Sequence, residues 1–475
     1  MDDVIRTSVS RWYQSHREEI VRRLMDFVSI PSVARYDEPG HPYGLECHRM
    51  MDAFRQAAEQ MDLATECFGD HVATASLGED PGRKTIGVWT HLDVVPPGNG
   101  WTFPPFEPVC ADGLVIGRGA DDNKSAATGA LYMLRCLKEL EIPLHCNLKV
   151  LAGCDEECGS RGVAYFARHY PCPDFSLVPD CPFPVCHGEK GIIDVTFRSV
   201  RPLSDDFLSM AGGVASNVIP DTATAALRLT ENRLRRLDSL PEGVSARAEA
   251  DHILFTARGT SGHAGFPVGH VNAVQALIRA LLDARMVGAE DKAILQFLDD
   301  VNEDCYGTAL GIAMEDAVSG PLTCAGTVLS LEDGRPCLTA NIRYCVTADG
   351  AAIHSALAGA AGRGAFELAR FSDSAPNYFP KDHPIVTALT DVYNRMTGNR
   401  AEPYVMSGGT YARKLPNAVG FGIGGRPLPP CDRIPRGHGG AHLPDEALCL
   451  EHYFQALEIF TMGVIEADRC LSAQD

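Results

Sequence analysis

Apolar residues along the chain recur either every three to four positions or in short unbroken blocks, and each pattern predicts a different element. Trp12, Ile20, Val21, Leu24, Phe27 and Val28 fall at helical spacing and predict one amphipathic helix from about Arg11 to Ile30. Ile30-Pro31 ends it, because the residue before a proline avoids the helical region. Further helical patterns run through Cys47–Met61 and Ser125–Leu140, and a final amphipathic helix follows Glu446. The blocks Ile86–Trp89, Leu148–Ala152 and Phe175–Pro179 have the length and character of buried strands. Between about Gly188 and Pro384 a separate alternation of strands and helices begins, as in Ala223–Leu229, Ala273–Leu282 and Leu338–Val346. It reads as a second domain (189–383) inserted into a first one made of 1–188 and 384–475. A chain of 475 residues exceeds one comfortable core, which fits that division.

Composition narrows the function classes. Hydrophobic content of 45% and charged content of 22% describe an ordinary soluble globular protein. The formal net charge of −20 argues against nucleic acid or an anionic membrane as partner. Met1-Asp2-Asp3-Val4 lacks a basic or apolar leader, and no apolar run is long enough to span a bilayer. Cytoplasm is the expected location. The 17 cysteines form no regular framework, as in a reducing compartment. Cys154, Cys158, Cys172, Cys181 and Cys186 contain no Cys-x-x-Cys pair, so a structural zinc is not expected there.

The chemistry-bearing residues cluster just beyond the buried blocks. His91 ends the first, at the carboxyl end of a strand, where open α/β sheets place their ligands. Asp93, two residues on, falls on the same side of an extended chain and is placed to hold the imidazole in one tautomer. The glycine-flanked acids Asp121 and Asp122 precede a helix, whose dipole suits anionic groups there. Asp155-Glu156-Glu157 follows the second block, and Asp180 follows the third. Consecutive acids at a strand end are costly unless a positive group compensates them. His442 precedes the last helix, with His438 a nearby competitor. Two imidazoles and three or four carboxylates suit two divalent ions of zinc type bridged by one carboxylate, with a spare carboxylate as general base on the shared water.

In combination these motifs resemble the co-catalytic di-zinc metallopeptidases that include glutamate carboxypeptidase, aminoacylase and succinyl-diaminopimelate desuccinylase. The branch most resembled is the dipeptidase V and carnosinase-type dipeptidases. The resemblance covers essentially the whole chain. It implies a mixed-sheet, three-layer α/β zinc-peptidase domain carrying an inserted α+β lid. It implies His91, in His-Leu-Asp, as a zinc ligand and Asp93 as the carboxylate that orients it. The family's Gly-Arg-Gly-x-x-Asp-x-Lys-Gly pattern falls on Gly117 to Ser125, with serine in place of the last glycine, and selects Asp122 as bridging ligand. The peptide bond after that aspartate is expected to be cis. Glu156 aligns with the general base, Glu157 with a ligand, and Asp180 and His442 with the terminal ligands of the two ions. His91 and Asp180 are expected on one ion, Glu157 and His442 on the other. The metal is expected to be zinc, though manganese or cobalt suits the same ligands.

In the insert, Gly259-Thr260-Ser261-Gly262-His263-Ala264 resembles the family's oxyanion-stabilising histidine motif. Asn217 and Arg343 match substrate-holding positions of the lid. Ser407-Gly408-Gly409-Thr410-Tyr411-Ala412-Arg413 resembles the dipeptidase V glycine-rich loop, which gives Gly408, Gly409, Thr410 and Arg413 as substrate contacts. The expected activity is hydrolysis of unblocked dipeptides; the alternative is an N-acyl-amino-acid amidohydrolase on the same scaffold. A non-catalytic binding protein would lack Glu156 or a ligand, and none is missing. The long insert, of about 200 residues, favours a monomer over a lid-mediated homodimer.

Overall fold

A computed structural model of the chain describes residues 3–36, 40–425 and 428–473. The chain divides into two compact units, residues 1–187, 378–404 and 409–475 in the first and residues 188–377 with 405–408 in the second.

The first unit is built on a mixed sheet. Six of its strands run in the spatial order Ala64–Phe68, Val72–Leu77, Asn147–Gly153, Thr85–His91, Phe175–Val178 and Ala418–Gly420. Thr85–His91 pairs in parallel with both its neighbours, whereas Val72–Leu77 runs antiparallel to Asn147–Gly153. Both faces are covered, which is why these strands read as unbroken apolar blocks rather than as alternation. Ile86, Val88, Leu148 and Val150 share one core with helices Arg17–Val28, Leu45–Glu59, Lys124–Glu139 and Leu450–Ser472. On the opposite face, Trp89, Leu151 and Val178 pack with Val163 and Phe166 of helix Arg161–His169 and with Tyr411. Burying each such side chain contributes about 1.5–3 kcal/mol. The result is the three-layer α/β arrangement expected.

One element differs from expectation. The first helical pattern is two helices, Asp3–Ser15 and Arg17–Val28, with a break at His16. Ser15 Oγ and His16 Nδ1 both donate to the carbonyl of Trp12, at 2.8 Å each. The His16 ring also stacks on Trp12, with centroids 4.0 Å apart. The Trp12 carbonyl is thus shared by both side chains and the His16 N–H at 3.1 Å, a sharing that bends helices, and His16 sits at ψ 6°.

The second unit holds an antiparallel eight-stranded sheet, ordered Val244–Ala248, His252–Arg258, Thr222–Arg228, Phe207–Gly212, Thr323–Glu332, Arg335–Tyr344, Gly191–Ser199 and Phe366–Ser374. Gly191–Ser199 alternates buried and half-buried positions along its whole length, the period of a strand with one face on a core. Ile193, Val195 and Phe197 form that face, under helices Ala273–Asp283, Ala289–Asp300 and Gly350–Arg363. Sheet and helices together make the α+β character expected of the insert. The short segment Val405–Gly408 joins this unit, with Lys190 N–H donating to the Met406 carbonyl at 2.9 Å.

Candidate metal centre

His91 ends the strand Thr85–His91 with its side chain only 2% exposed. Its Nδ1–H donates to the backbone carbonyl of Asp93 at 3.0 Å, while the Asp93 carboxylate stands off at 3.5 Å. The Asp93 carboxylate thus stands beside the ring nitrogen that faces away from the cage, next to the carbonyl that makes the shorter contact. The same fully buried carboxylate also accepts the backbone N–H groups of Glu156 and Glu157, both at 3.1 Å. It fixes the turn that carries the two glutamates.

A neutral imidazole that donates through Nδ1 presents a lone pair at Nε2. That atom of His91 lies 3.0 Å from Asp122 Oδ1 and 3.7 Å from Asp180 Oδ2. The other oxygen of Asp122 lies 3.0 Å from His442 Nε2, which is also 3.0 Å from Glu157 Oε1. His91, Asp122 and Asp180 thus form one three-ligand cluster, and Asp122, Glu157 and His442 a second, with ligand atoms in each within 4.8 Å of one another. Lone pairs facing carboxylates call for cations between them, and this donor set fits divalent ions of zinc type. The cluster carboxylates attract positive charge of either kind, a metal ion or a proton on the imidazole. Burial opposes the charge on His442, yet its bonds to Asp122 and Glu157 outweigh that and push its pKa to about 11. Asp122 is likewise held well below the usual carboxylate range, because the imidazoles of His442 and His91 outweigh its burial. Glu156 belongs to neither cluster. Burial, with Asp180, Glu157 and Asp93 nearby, pushes its carboxyl well above the ordinary range, as suits a group that must take up a proton.

The loop bearing Asp122 is held from the far end of the chain. Glu446 Oε1 accepts the backbone N–H groups of Gly119, Asp121 and Asp122 at 3.0–3.1 Å, and Oε2 pairs with Arg118 Nη1 at 2.5 Å. Arg118 Nη2 also donates to the carbonyl of His442 at 3.2 Å. Gly119 sits at φ +86°, where a Cβ would come within 2.7 Å of Val94, so only glycine fits. The Asp122–Asn123 peptide is cis, as expected. Asn123 Nδ2 donates to Asp180 Oδ1 at 2.8 Å. Sequence reasoning gave no role to Glu446, Arg118, Asn123 or Tyr411. The only signal was that Arg118 and Asn123 stand inside the Gly117–Ser125 motif and Tyr411 inside the Ser407–Arg413 loop. The Tyr411 ring stands edge-on to His91, with centroids 6.4 Å apart. His438 is not in the cage; it pairs with Asp445 at 2.6 Å.

The remaining candidates occupy other surroundings. In the second unit, His263 and Asn217 lie together, both exposed. Val218 pairs with His263, and the Asn217 carbonyl accepts Ala264 N–H at 2.8 Å. Gly265 N–H donates to His263 Nδ1 at 3.1 Å. Arg343 is buried, with Nε donating to Asn341 Oδ1 and Nη1 to the carbonyl of Ser407, both at 2.8 Å, next to Gly408. In the first unit, the Arg413 guanidinium lies against Gly409, where a Cβ would meet it at 2.6 Å. Thr410 Oγ1 accepts Ala412 N–H at 3.1 Å, a local cap.

Fold and cage define a metal-dependent hydrolase of α/β type. The model of Peptidase family M20/M25/M40 matches residues 87–464, and the chain belongs to that family. It is 31% identical over 469 residues to a putative dipeptidase, YtjP, of Bacillus subtilis, covering 95% of this chain and 97% of the relative. It is 28% identical to a Beta-Ala-Xaa dipeptidase of Lactobacillus delbrueckii, with the same coverage. Among solved structures, human carnosine dipeptidase 1 shares the fold with a TM-score of 0.60 at 15% identity, over 98% of this chain and 99% of that one. The dipeptidase Dug1p of Saccharomyces cerevisiae does so with a TM-score of 0.57 at 15% identity, over 98% of each chain.

Proposed function

We propose that the protein is a metallodipeptidase that hydrolyses the peptide bond of unblocked dipeptides, using two divalent ions, zinc first among them. The observation that carries this reading is the sharing of Asp122 between two three-ligand clusters, with Glu156 left over beside them. His91 and Asp180 would hold one ion, Glu157 and His442 the other, and Asp122 both. When bound, such ions supply Lewis-acid polarisation and a more acidic water. Glu156 takes the proton of the attacking water and passes it to the leaving amine, a role supported by its place outside both ligand clusters. Asp93 keeps Glu156 and Glu157 in place through their backbone amides. His263 steadies the developing oxyanion, an electrostatic role. Arg343, oriented by Asn341 and Ser407, takes the substrate carboxylate in its planar fork. Asn217, Gly408, Gly409, Thr410 and Arg413 line the substrate. Holding the free carboxylate at one end and the ammonium against the cage acids at the other restricts the substrate to two residues.

The inserted unit serves as the lid, and a cytoplasmic monomer is the working form in this reading. None of the seventeen cysteines is in a disulfide, in keeping with a reducing compartment. Among the described residues no helix is long and apolar enough to cross a membrane. The test is metal analysis with turnover of dipeptides and of N-acetyl amino acids, before and after chelation. Loss of dipeptide turnover on chelation, its return with zinc, and little action on the acylated compounds are expected. Preference for the acylated compounds would replace the reading with the amidohydrolase one.

A further inference from the structure

A third group of ligand-type side chains stands in the first unit, apart from the cage. His41 lies in the loop before helix Leu45–Glu59, His48 in that helix's first turns, and Asp70 in the turn between strands Ala64–Phe68 and Val72–Leu77. Their ligand atoms all lie within 4.8 Å of one another. The two imidazoles stack, with centroids 4.2 Å apart and planes inclined by 27°. Both turn Nδ1 toward the same oxygen, Asp70 Oδ2, at 3.9 Å for His41 and 3.7 Å for His48. Those separations are too long for hydrogen bonds, and both Nδ1 atoms are buried without a hydrogen-bond partner. Buried polar atoms are normally satisfied, so a pair of orphans aimed at one carboxylate needs a cause.

We propose that His41, His48 and Asp70 form a further site for a divalent ion of the zinc class. Two ligand atoms on one such ion, each bonded at about 2.1 Å, stand at most about 4.2 Å apart, and both observed separations fall inside that limit. A single ion satisfies the two nitrogens and the carboxylate together. The surroundings have the form that metal-bound histidines require, in which the second ring nitrogen faces a carboxylate. His48 Nε2 lies 3.4 Å from Asp52 Oδ2. The Cys67 thiol donates to the other oxygen of Asp70 at 3.6 Å and fixes its orientation. Imidazole selects zinc, nickel or copper over magnesium and calcium. Bound there, the ion ties a loop, a helix and a strand turn together.

The test counts zinc per chain by mass spectrometry after equilibration at a fixed free zinc concentration. The intact protein is compared with Asp70→Asn and with His48→Gln. Asn keeps the left-handed backbone that Asp70 adopts at φ +56°. Each variant is expected to bind one equivalent fewer, with dipeptide turnover unchanged at saturating metal. The same difference should persist when His442→Ala disables one half of the cage, which separates this site from the catalytic one. Equal zinc content in the intact protein and both variants, or a difference that disappears with His442→Ala, would overturn the proposal.

Discussion

The two halves of the metal cage share Asp122 but are built differently. The His91 half grows from strand ends, and its imidazole is 2% exposed, with Asp180 at 16%. The His442 half hangs on a loop; its imidazole is 44% exposed and its backbone left-handed at φ +65°. In the proposed two-ion arrangement, the enclosed half would hold its ion by preorganised surroundings, whereas the open half would leave room for an incoming ligand. That reading gives retention to one side and exchange to the other.

The strongest effect should come from the residue that belongs to neither half. Glu156→Ala should keep both ions and lose turnover by about 10²–10⁴-fold; if metal departs with the activity, Glu156 is a ligand and the division into halves fails. Next comes the direct contrast between histidines. His91→Ala takes the buried imidazole away from half-buried Asp122 and Asp180, leaving Asp122 with His442 and Asp180 with Asn123, and should cost about 2–3 kcal/mol in denaturant unfolding at fixed zinc. His442→Ala, at an exposed imidazole, should cost less than about 1 kcal/mol. Equal costs would erase the distinction. Asn123→Ala removes the amide that orients Asp180 and should weaken the enclosed ion alone, by about 10–100-fold, read by competitive zinc titration. The mildest probe is kinetic. In the Asp70→Asn background, a chelator should strip one of the two cage equivalents several-fold faster than the other, and His442→Ala should remove that fast phase, whereas a single phase with His442 intact would contradict the contrast.

What the sequence reveals of this site follows the kind of interaction involved. Asp155-Glu156-Glu157 and Asp180 stand out because acids directly after an apolar block are energetically odd, and the structure brings Glu157 and Asp180 to the cage. The layering was readable for a similar reason, since strands covered on both faces leave unbroken apolar runs. Glu446 leaves no comparable trace, because three of its four contacts are to backbone amides that any residue type supplies. The choice between His438 and His442 depends on Asp445, which engages His438, and that pairing exists only in the folded loop. The second task of Asp93, holding the amides of Glu156 and Glu157, left no trace for the same reason as Glu446. The break at His16 arises from side-chain competition for one carbonyl, which leaves the helical pattern around it intact.

The Glu446 carboxylate has a consequence for how the enzyme comes into being. It reaches Gly119 across 327 residues of chain, and its buried partnership with Arg118 is of a kind whose rupture costs about 3–5 kcal/mol. A nascent polypeptide therefore carries the aspartate loop long before anything can lock it into shape. The lock on that loop waits on the segment that carries Glu446 and His442, and a polypeptide that stops short of it lacks both the lock and a ligand.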